Sequence, residues 1–372
     1  MNKAFFINGG AGRVLCSIPG FERFAETNDD FVIVSESWAE LFSLSKKLRD
    51  KVYLMNHKDL FEDHIKDKEV ITLEPYRLNA YFNQKCNLIQ AFDMQINNLD
   101  EVPETREIKL DLNKKEQITG HNVVDEVKRG TQKEKIVVIQ PFGQSCSAEG
   151  RFISDSSGRS FEASNIISLI EQLKKNYGII VMSQIEIPNW QEMGIAMPQK
   201  MSLNEWCGVI NGADYFIGCD SAGQHMAHAV KKPATVVIGS TYPENITYPG
   251  NKNFTIIDNG KDNRRYSPIR MTFDDCCDRN NEDLMVLDDS TVKKIVKSVR
   301  DKIGVSRTKT TLTGATNINK NLPHAPAMIT GAAPKSLAPS SVKFEGFKSS
   351  KTNKASKKKP IEKVLEMNNV KS

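Results

Sequence analysis

The chain has 372 residues, 39% of them apolar and 26% charged, enough for two domains of ordinary size. No stretch approaches the roughly 20 uninterrupted apolar residues of a membrane-spanning helix. The net charge of +5 is uneven: residues 306–372 carry 13 Lys and Arg against 3 Asp and Glu, a balance of +10 that leaves −5 for residues 1–305.

The apolar run from Ala4 to Ile7 is too short for the core of a signal peptide and reads as a first buried strand. Further strand-like runs follow at 31–35, 52–55, 135–140, 178–183, 215–219, 234–239 and 254–258. Helix-period stretches lie between them, clearest at 161–177, where Ile166, Ile167, Ile170 and Leu173 mark one face, and at 202–213. Continuous β-branched runs alternating with amphipathic helices predict an α/β fold with parallel sheets. The alternation pauses over the polar stretch 100–134, which places a domain junction near 130. A last helix is expected over 288–304, capped by Asp289 or Ser290 and stopped by Gly304.

Residues 1–130 thus form a first domain and 131–304 a second. Residues 305–372, rich in Ser, Thr, Ala, Pro, Asn and Lys, read as a disordered basic tail that cannot bury enough apolar surface to order itself. Its lysines suit an anionic partner, nucleic acid or a membrane face, or simply a solvated end. Seven scattered cysteines fit reduced thiols and a cytoplasmic setting better than a disulfide framework. The adjacent Cys276 and Cys277 make a poor zinc corner.

The stretch "YFIGCDSAGQHMAHAV" has the grammar of an anion site: a strand, a turn of small residues and a helix start. In open α/β sheets ligands sit beyond the carboxyl ends of strands, and free amides at a helix start favour phosphate. Asp220 would order the loop or bind ligand hydroxyls, Ser221, Ala222 and Gly223 would let a ligand approach the backbone, and His225 would donate to a phosphate oxygen. The alternative is that Ser221 simply caps the helix and the histidines face solvent or the core.

Over "SLNEWCGVINGADYFIGCDSAGQHMAHAVKKPATVVIGSTYPE" the chain resembles glycosyltransferase family 9, the heptosyltransferases, with Asp220, Ser221, His225, Ala229, Pro233, Gly239, Thr241 and Pro243 in register. Ala222 stands where the family usually has Gly. "VVIQPFGQS" and "GRSFEASNIISLIEQL" are similar to the family's nucleotide-domain strand, loop and helix start, with Phe161 replacing Trp. The resemblance puts Arg159 at a basic position facing the diphosphate and makes 145–157 longer than the family's pattern. "INGGAGRVLCSIPGFERF" resembles the family's first strand and loop, with Gly12 and Pro19 in place. At the position of the family's proposed catalytic base, an Asp, this chain has Arg13, which cannot act as a base. Arg13 would instead contact the donor diphosphate or an anionic acceptor.

The resemblance implies a GT-B architecture: two Rossmann-like domains facing a cleft, with the donor on the second domain and the acceptor on the first. It implies an inverting, metal-independent glycosyltransferase, with no metal or other cofactor expected, that moves a sugar from a nucleotide-diphosphate sugar to a hydroxyl acceptor of the lipopolysaccharide or glycan type. A hydroxymethylated DNA base is a variant acceptor that the basic tail would suit. The base for deprotonation is unassigned; Glu36, Glu74 and Asp93 are the candidates among first-domain carboxylates. Rival readings are a non-catalytic GT-B domain that binds a nucleotide or glycan, an epimerase of nucleotide-sugars, and a dinucleotide oxidoreductase. The last is discounted because Leu15 replaces the third glycine after Gly10 and Gly12.

Overall fold

The computed structural model describes residues 2–149, 152–155, 157–187, 189–264 and 283–306. Cys276, Cys277 and the basic tail beyond Ser306 lie outside the described residues.

The first half opens with β1 (Lys3–Ile7), α1 (Ala11–Phe24) and β2 (Phe31–Ser35), then β3 (Val52–Leu54), β4 (Glu69–Thr72), α2 (Asn79–Phe82) and α3 (Leu88–Asn97). Its sheet is parallel throughout, in the order β3-β2-β1-β4. Side chains alternate across it. Phe5, Ile7 and Ile33 point to the core under α1 and α3, where Phe5 meets Phe21 and Phe24 edge-on. Ala4, Val32 and Val34 point the other way, where Leu60 and Ile65 cover them.

The second half comprises α4 (Lys114–Thr131), β5 (Ile136–Gln140), the hairpin β6 (Cys146–Glu149) and β7 (Phe152–Asp155), and α5 (Ala163–Leu173). It continues through β8 (Gly178–Val181), α6 (Leu203–Gly212), β9 (Tyr215–Cys219), α7 (Ala222–Ala229), β10 (Ala234–Ile238), α8 (Pro243–Ile246), β11 (Phe254–Asp258) and α9 (Asp289–Ile303). The five-stranded sheet is parallel, in the order β11-β10-β9-β5-β8. Alternation again sorts the faces. Ile136 and Val138 join the core that holds Trp206 and Met226, whereas Val137 and Ile139 join Leu169, Ile170, Val292 and Ile295. Both sheets belong to one compact unit.

Several features depart from the sequence reading, among them the cap of α9, which is Asp288 and not Asp289 or Ser290. The polar stretch 100–134 contains α4, opened by a capping box in which Asn113 and Glu116 satisfy each other's amides. It buries only Glu116, Gly120, Val124 and Val127. This helix packs on α6 with glycine against glycine: a Cβ on Gly120 would lie 2.1 Å from the Gly208 carbonyl carbon. The segment read as a loop around Gly12 and Pro19 is the helix α1, with Pro19 inside it. The long segment at 145–157 contains an antiparallel hairpin in which Cys146 pairs with Asp155.

The two halves are stitched by side-chain amides. Asn204 on α6 donates to the carbonyl of Glu40, and Asn245 on α8 donates to the carbonyls of Tyr81 and Cys86. Among the described residues, no helix is long and apolar enough to cross a membrane.

Candidate functional site

In each sheet the strand order reverses at one place, beside β1 and β4 in the first and between β5 and β9 in the second. Crevices open at such switch points, beyond the carboxyl ends of the strands. Here both border the same cleft of about 990 Å³, lined by Gly9–Arg13 and Tyr76 from one sheet and by Gln140, Phe142–Cys146 and Asp220–Ala222 from the other. The starts of α1 and α7 meet across it.

Neither helix start is capped by its own side chain. Gly10 and Ser221 occupy the N-cap positions with extended backbone and no side-chain cap bond, and neither first turn holds an acid. Unneutralised helix starts favour an anion. The Gly223 amide is already engaged by Gln140 Oε1 at 2.9 Å, and Gly223 does not line the cleft. Its smallness serves the contact between the β5 end and α7.

Asp220 is buried in the cleft floor. Its Oδ2 accepts from Thr241 Oγ1 at 2.9 Å and its Oδ1 from Gln224 Nε2 at 3.1 Å. The Arg159 guanidinium stands 3.7 Å away. Burial raises the Asp220 carboxyl above the usual range, opposed by Arg159, Thr241 and Gln224. Asp220 thereby ties the start of α7 to Thr241 and Arg159.

Arg159 spans the wall between β5 and β9. Its Nε donates to Ser157 Oγ at 2.9 Å and one terminal nitrogen to Ser145 Oγ at 3.2 Å; its side chain is 27% exposed. This leaves a cation with a face open to the cleft.

His225 is 2% exposed, with Nδ1 2.7 Å from the Tyr248 hydroxyl and Cys16 Sγ 3.5 Å from the same nitrogen. Burial, with His228 adding, pulls its imidazole down to about 3, so the ring is neutral at physiological pH. His228 stacks on Tyr248 at 3.6 Å between ring centres, and burial pulls it down to about 4. Burial, and then Asp220, raises Cys16 well above an ordinary thiol.

Arg13 is 4% exposed and lies over the Tyr76 ring at 4.8 Å. One terminal nitrogen donates to the Leu73 carbonyl at 2.9 Å; the other is 3.7 Å from Glu74, without a hydrogen bond. Nε is also unpartnered. Gly9, at φ +88°, makes room for this arginine: a Cβ there would stand 2.8 Å from Arg13 Cδ. A buried cation in a helix's first turn opposes the dipole, so the position is electrostatically incomplete.

Gly12, Arg13, Arg159, Asp220, Ser221, Ala222, His225 and Thr241 all line the cleft. The three carboxylates singled out as bases do not. Glu36 accepts the Gly9 amide at 3.3 Å, and Glu74 sits behind Arg13. Asp93 is buried on α3, bonded to Arg23 at 2.8 Å and to Asn97, and raised by burial against Arg23. The acids that line the cleft, among the described residues, are Asp220 and Glu40. Sequence reading missed Glu40 and its neighbour Trp38, whose backbone is left-handed (φ 63°) and whose indole nitrogen has no partner. Their place just past β2 was the available signal.

A sequence-family model, "Glycosyltransferase family 9 (heptosyltransferase)", matches residues 185–269. Over those residues the chain is similar to glycosyltransferase family 9. They hold β9, α7 and the Asp220–Thr241 pair. Solved structures extend the likeness of fold to most of the chain. A glycosyl transferase family 9 protein from Veillonella parvula DSM 2008 superposes with a TM-score of 0.57 at 12% identity, covering 80% of this chain and 96% of the other. The Escherichia coli ADP-heptose lps heptosyltransferase II gives 0.53 at 11% identity, over 81% and 98%. The heptosyltransferase TibC of enterotoxigenic E. coli, solved in complex with ADP-D-beta-D-heptose, gives 0.52 at 15% identity, over 80% and 76%. No curated protein matches in sequence. The architecture is that of the family 9 enzymes, a GT-B fold of two Rossmann-like halves about a cleft.

Proposed function

We propose that this chain is a glycosyltransferase that moves a sugar, with inversion, from a nucleotide-diphosphate sugar to a hydroxyl acceptor. The observation that carries the reading is Arg159, turned across the β5/β9 switch point toward the uncapped start of α7. A guanidinium fork and helix amides are the groups that hold a diphosphate. As the bond to the sugar breaks, negative charge grows on the leaving diphosphate. A fixed cation there stabilises the transition state more than the ground state.

In this proposal Ser221 and Ala222 supply backbone contact, and Asp220 and Thr241 fix the loop. The neutral His225 offers an uncharged ring at the α1–α7 junction, and Gly223 acts through packing. Arg13 faces the donor or an anionic acceptor from the opposite wall. The donor seat needs no divalent ion, because these basic and amide groups neutralise the diphosphate. The acceptor is of the lipopolysaccharide or glycan type, in line with the name of the similar E. coli lps heptosyltransferase II, and the setting is cytoplasmic.

A second reading, a non-catalytic nucleotide- or glycan-binding protein, is favoured by one observation: Arg13 occupies the base position, and Glu36, Glu74 and Asp93 lie outside the cleft. A thermal-shift panel of nucleotide-sugars on the purified chain tests the donor seat, since a ligand of the folded state raises Tm by mass action. One nucleotide-sugar is expected to raise Tm in the wild type and much less in Arg159→Gln. A panel without any shift overturns the proposal. Binding without turnover on any acceptor selects the second reading.

A further inference from the structure

We propose that Asp155 is a positioning residue for Arg159, and that the hairpin β6–β7 serves to present it. The inference rests on the reading of Arg159 as a ligand of the donor diphosphate.

Asp155 closes β7 and does not line the cleft. Its carboxylate gathers donors from the five residues that follow it. Oδ1 accepts the Ser157 amide at 2.8 Å and the Ser157 hydroxyl at 2.5 Å. Oδ2 accepts the Ser160 amide at 2.9 Å, the Ser160 hydroxyl at 2.5 Å and the Arg159 amide at 3.3 Å. The carboxylate thereby folds 155–160 into a tight loop around itself. Burial works to raise its carboxyl, but the Ser157 and Ser160 bonds prevail and hold it below the usual range.

The two serines carry the effect outward. Ser157 Oγ, oriented by Asp155, accepts Arg159 Nε at 2.9 Å, and the Ser157 carbonyl is pinned by Ser240 Oγ at 2.7 Å. Ser160 Oγ takes the Gly143 amide at 2.9 Å, tying the loop to the end of β5. From the hairpin's other foot, Ser145 Oγ takes a terminal Arg159 nitrogen. Two edges of the guanidinium are thus held by serines, and the remaining one faces Asp220 and the cleft. A long side chain locked before ligand arrives loses less freedom on binding. The additional length at 145–157 supplies the serines and the carboxylate that do this.

Inorganic pyrophosphate is the probe, because it reads the diphosphate seat whatever the nucleotide. Isothermal titration would compare the full-length wild type with Arg159→Gln, Asp155→Asn, Ser157→Ala and the Arg159→Gln/Asp155→Asn double variant. Each single variant is expected to weaken binding by about tenfold, the scale of one lost hydrogen bond to a charged group. The double variant is expected to bind no more weakly than Arg159→Gln alone, and Asp155→Glu to restore part of the loss. Should Asp155→Asn fail to fold, Ser157→Ala carries the same test, since it removes the Nε acceptor and spares the carboxylate. If Asp155→Asn and Ser157→Ala bind like the wild type while Arg159→Gln is weakened, this inference fails and the donor seat stands. Additive losses in the double variant also overturn it. Absence of pyrophosphate binding in the wild type, or an unaltered Arg159→Gln, overturns the donor seat and this inference together.

Discussion

Gly12 and His225 meet where the two halves of the cleft join: a Cβ on Gly12 would lie 3.2 Å from the His225 ring carbon Cδ2. The ring cannot easily retreat, because its Nδ1 is held by the Tyr248 hydroxyl and Tyr248 is stacked on His228. Gly12→Val is therefore expected to cost about 1–3 kcal/mol, the range for overpacking a filled interior. Urea denaturation would measure it. An unchanged midpoint would mean that the α1–α7 contact is looser than described.

The same histidines set a pH dependence. Their folded values, about 3 for His225 and about 4 for His228, lie below the ordinary 6.5. Between those limits the unfolded chain binds more protons than the folded one, so stability falls as pH drops below about 6.5. Each histidine contributes a slope of at most about 1.4 kcal/mol per pH unit. Denaturation midpoints at pH 7.5, 6 and 5 should decline, and His225→Gln should flatten the decline. A slope that His225→Gln leaves intact would assign the effect to other groups.

Gly120 and Gly130 share α4 but not their surroundings. A Cβ at Gly120 would collide with the α6 backbone, whereas a Cβ at Gly130 would have nothing within 4 Å. Gly120→Ala is expected to destabilise by about 1–3 kcal/mol. Gly130→Ala is expected to stabilise by about 0.5–1 kcal/mol through helix propensity. Calorimetric melts of the pair check the difference in sign.

The contrast also marks what the sequence could reveal. The strands at 31–35 and 215–219 were legible to the residue, because buried parallel strands are continuous runs of β-branched and aromatic side chains, and the edge strand at 254–258 was legible because it keeps the same apolar run. Helix α4 was not, because its buried stripe is a carboxylate, a glycine and two valines, and its contact depends on a missing side chain. Strand β4, "EVIT", hid because it is a short sheet edge with Val70 56% exposed. In the site, the β9–α7 turn was readable from residue order alone. Glu40 and Trp38 were signalled only by their place just past β2, and the Asp155 loop not at all, since nothing local in "SDSSG" says that one carboxylate will gather the loop around itself.

Arg13 separates stability from function. Its burial and two unpartnered nitrogens make it costly to the fold, while its bond to Leu73 and its stacking on Tyr76 offset part of that cost. The double variant Arg13→Met/Glu74→Gln, which removes both charges of the pair, is expected to melt within about 1 kcal/mol of the wild type. Transfer, once a donor and acceptor are in hand, should fall at least about tenfold, the scale of one charged hydrogen bond. Full transfer by the variant would remove Arg13 from the binding machinery.

The most direct measurement is a crystal structure of the chain with its nucleotide-diphosphate sugar. Both phosphorus atoms are expected at the start of α7, against Ser221 and Ala222, with the Arg159 guanidinium bonded to their oxygens. A donor bound elsewhere, with Arg159 still turned to Asp220 and the α7 start empty, would contradict it.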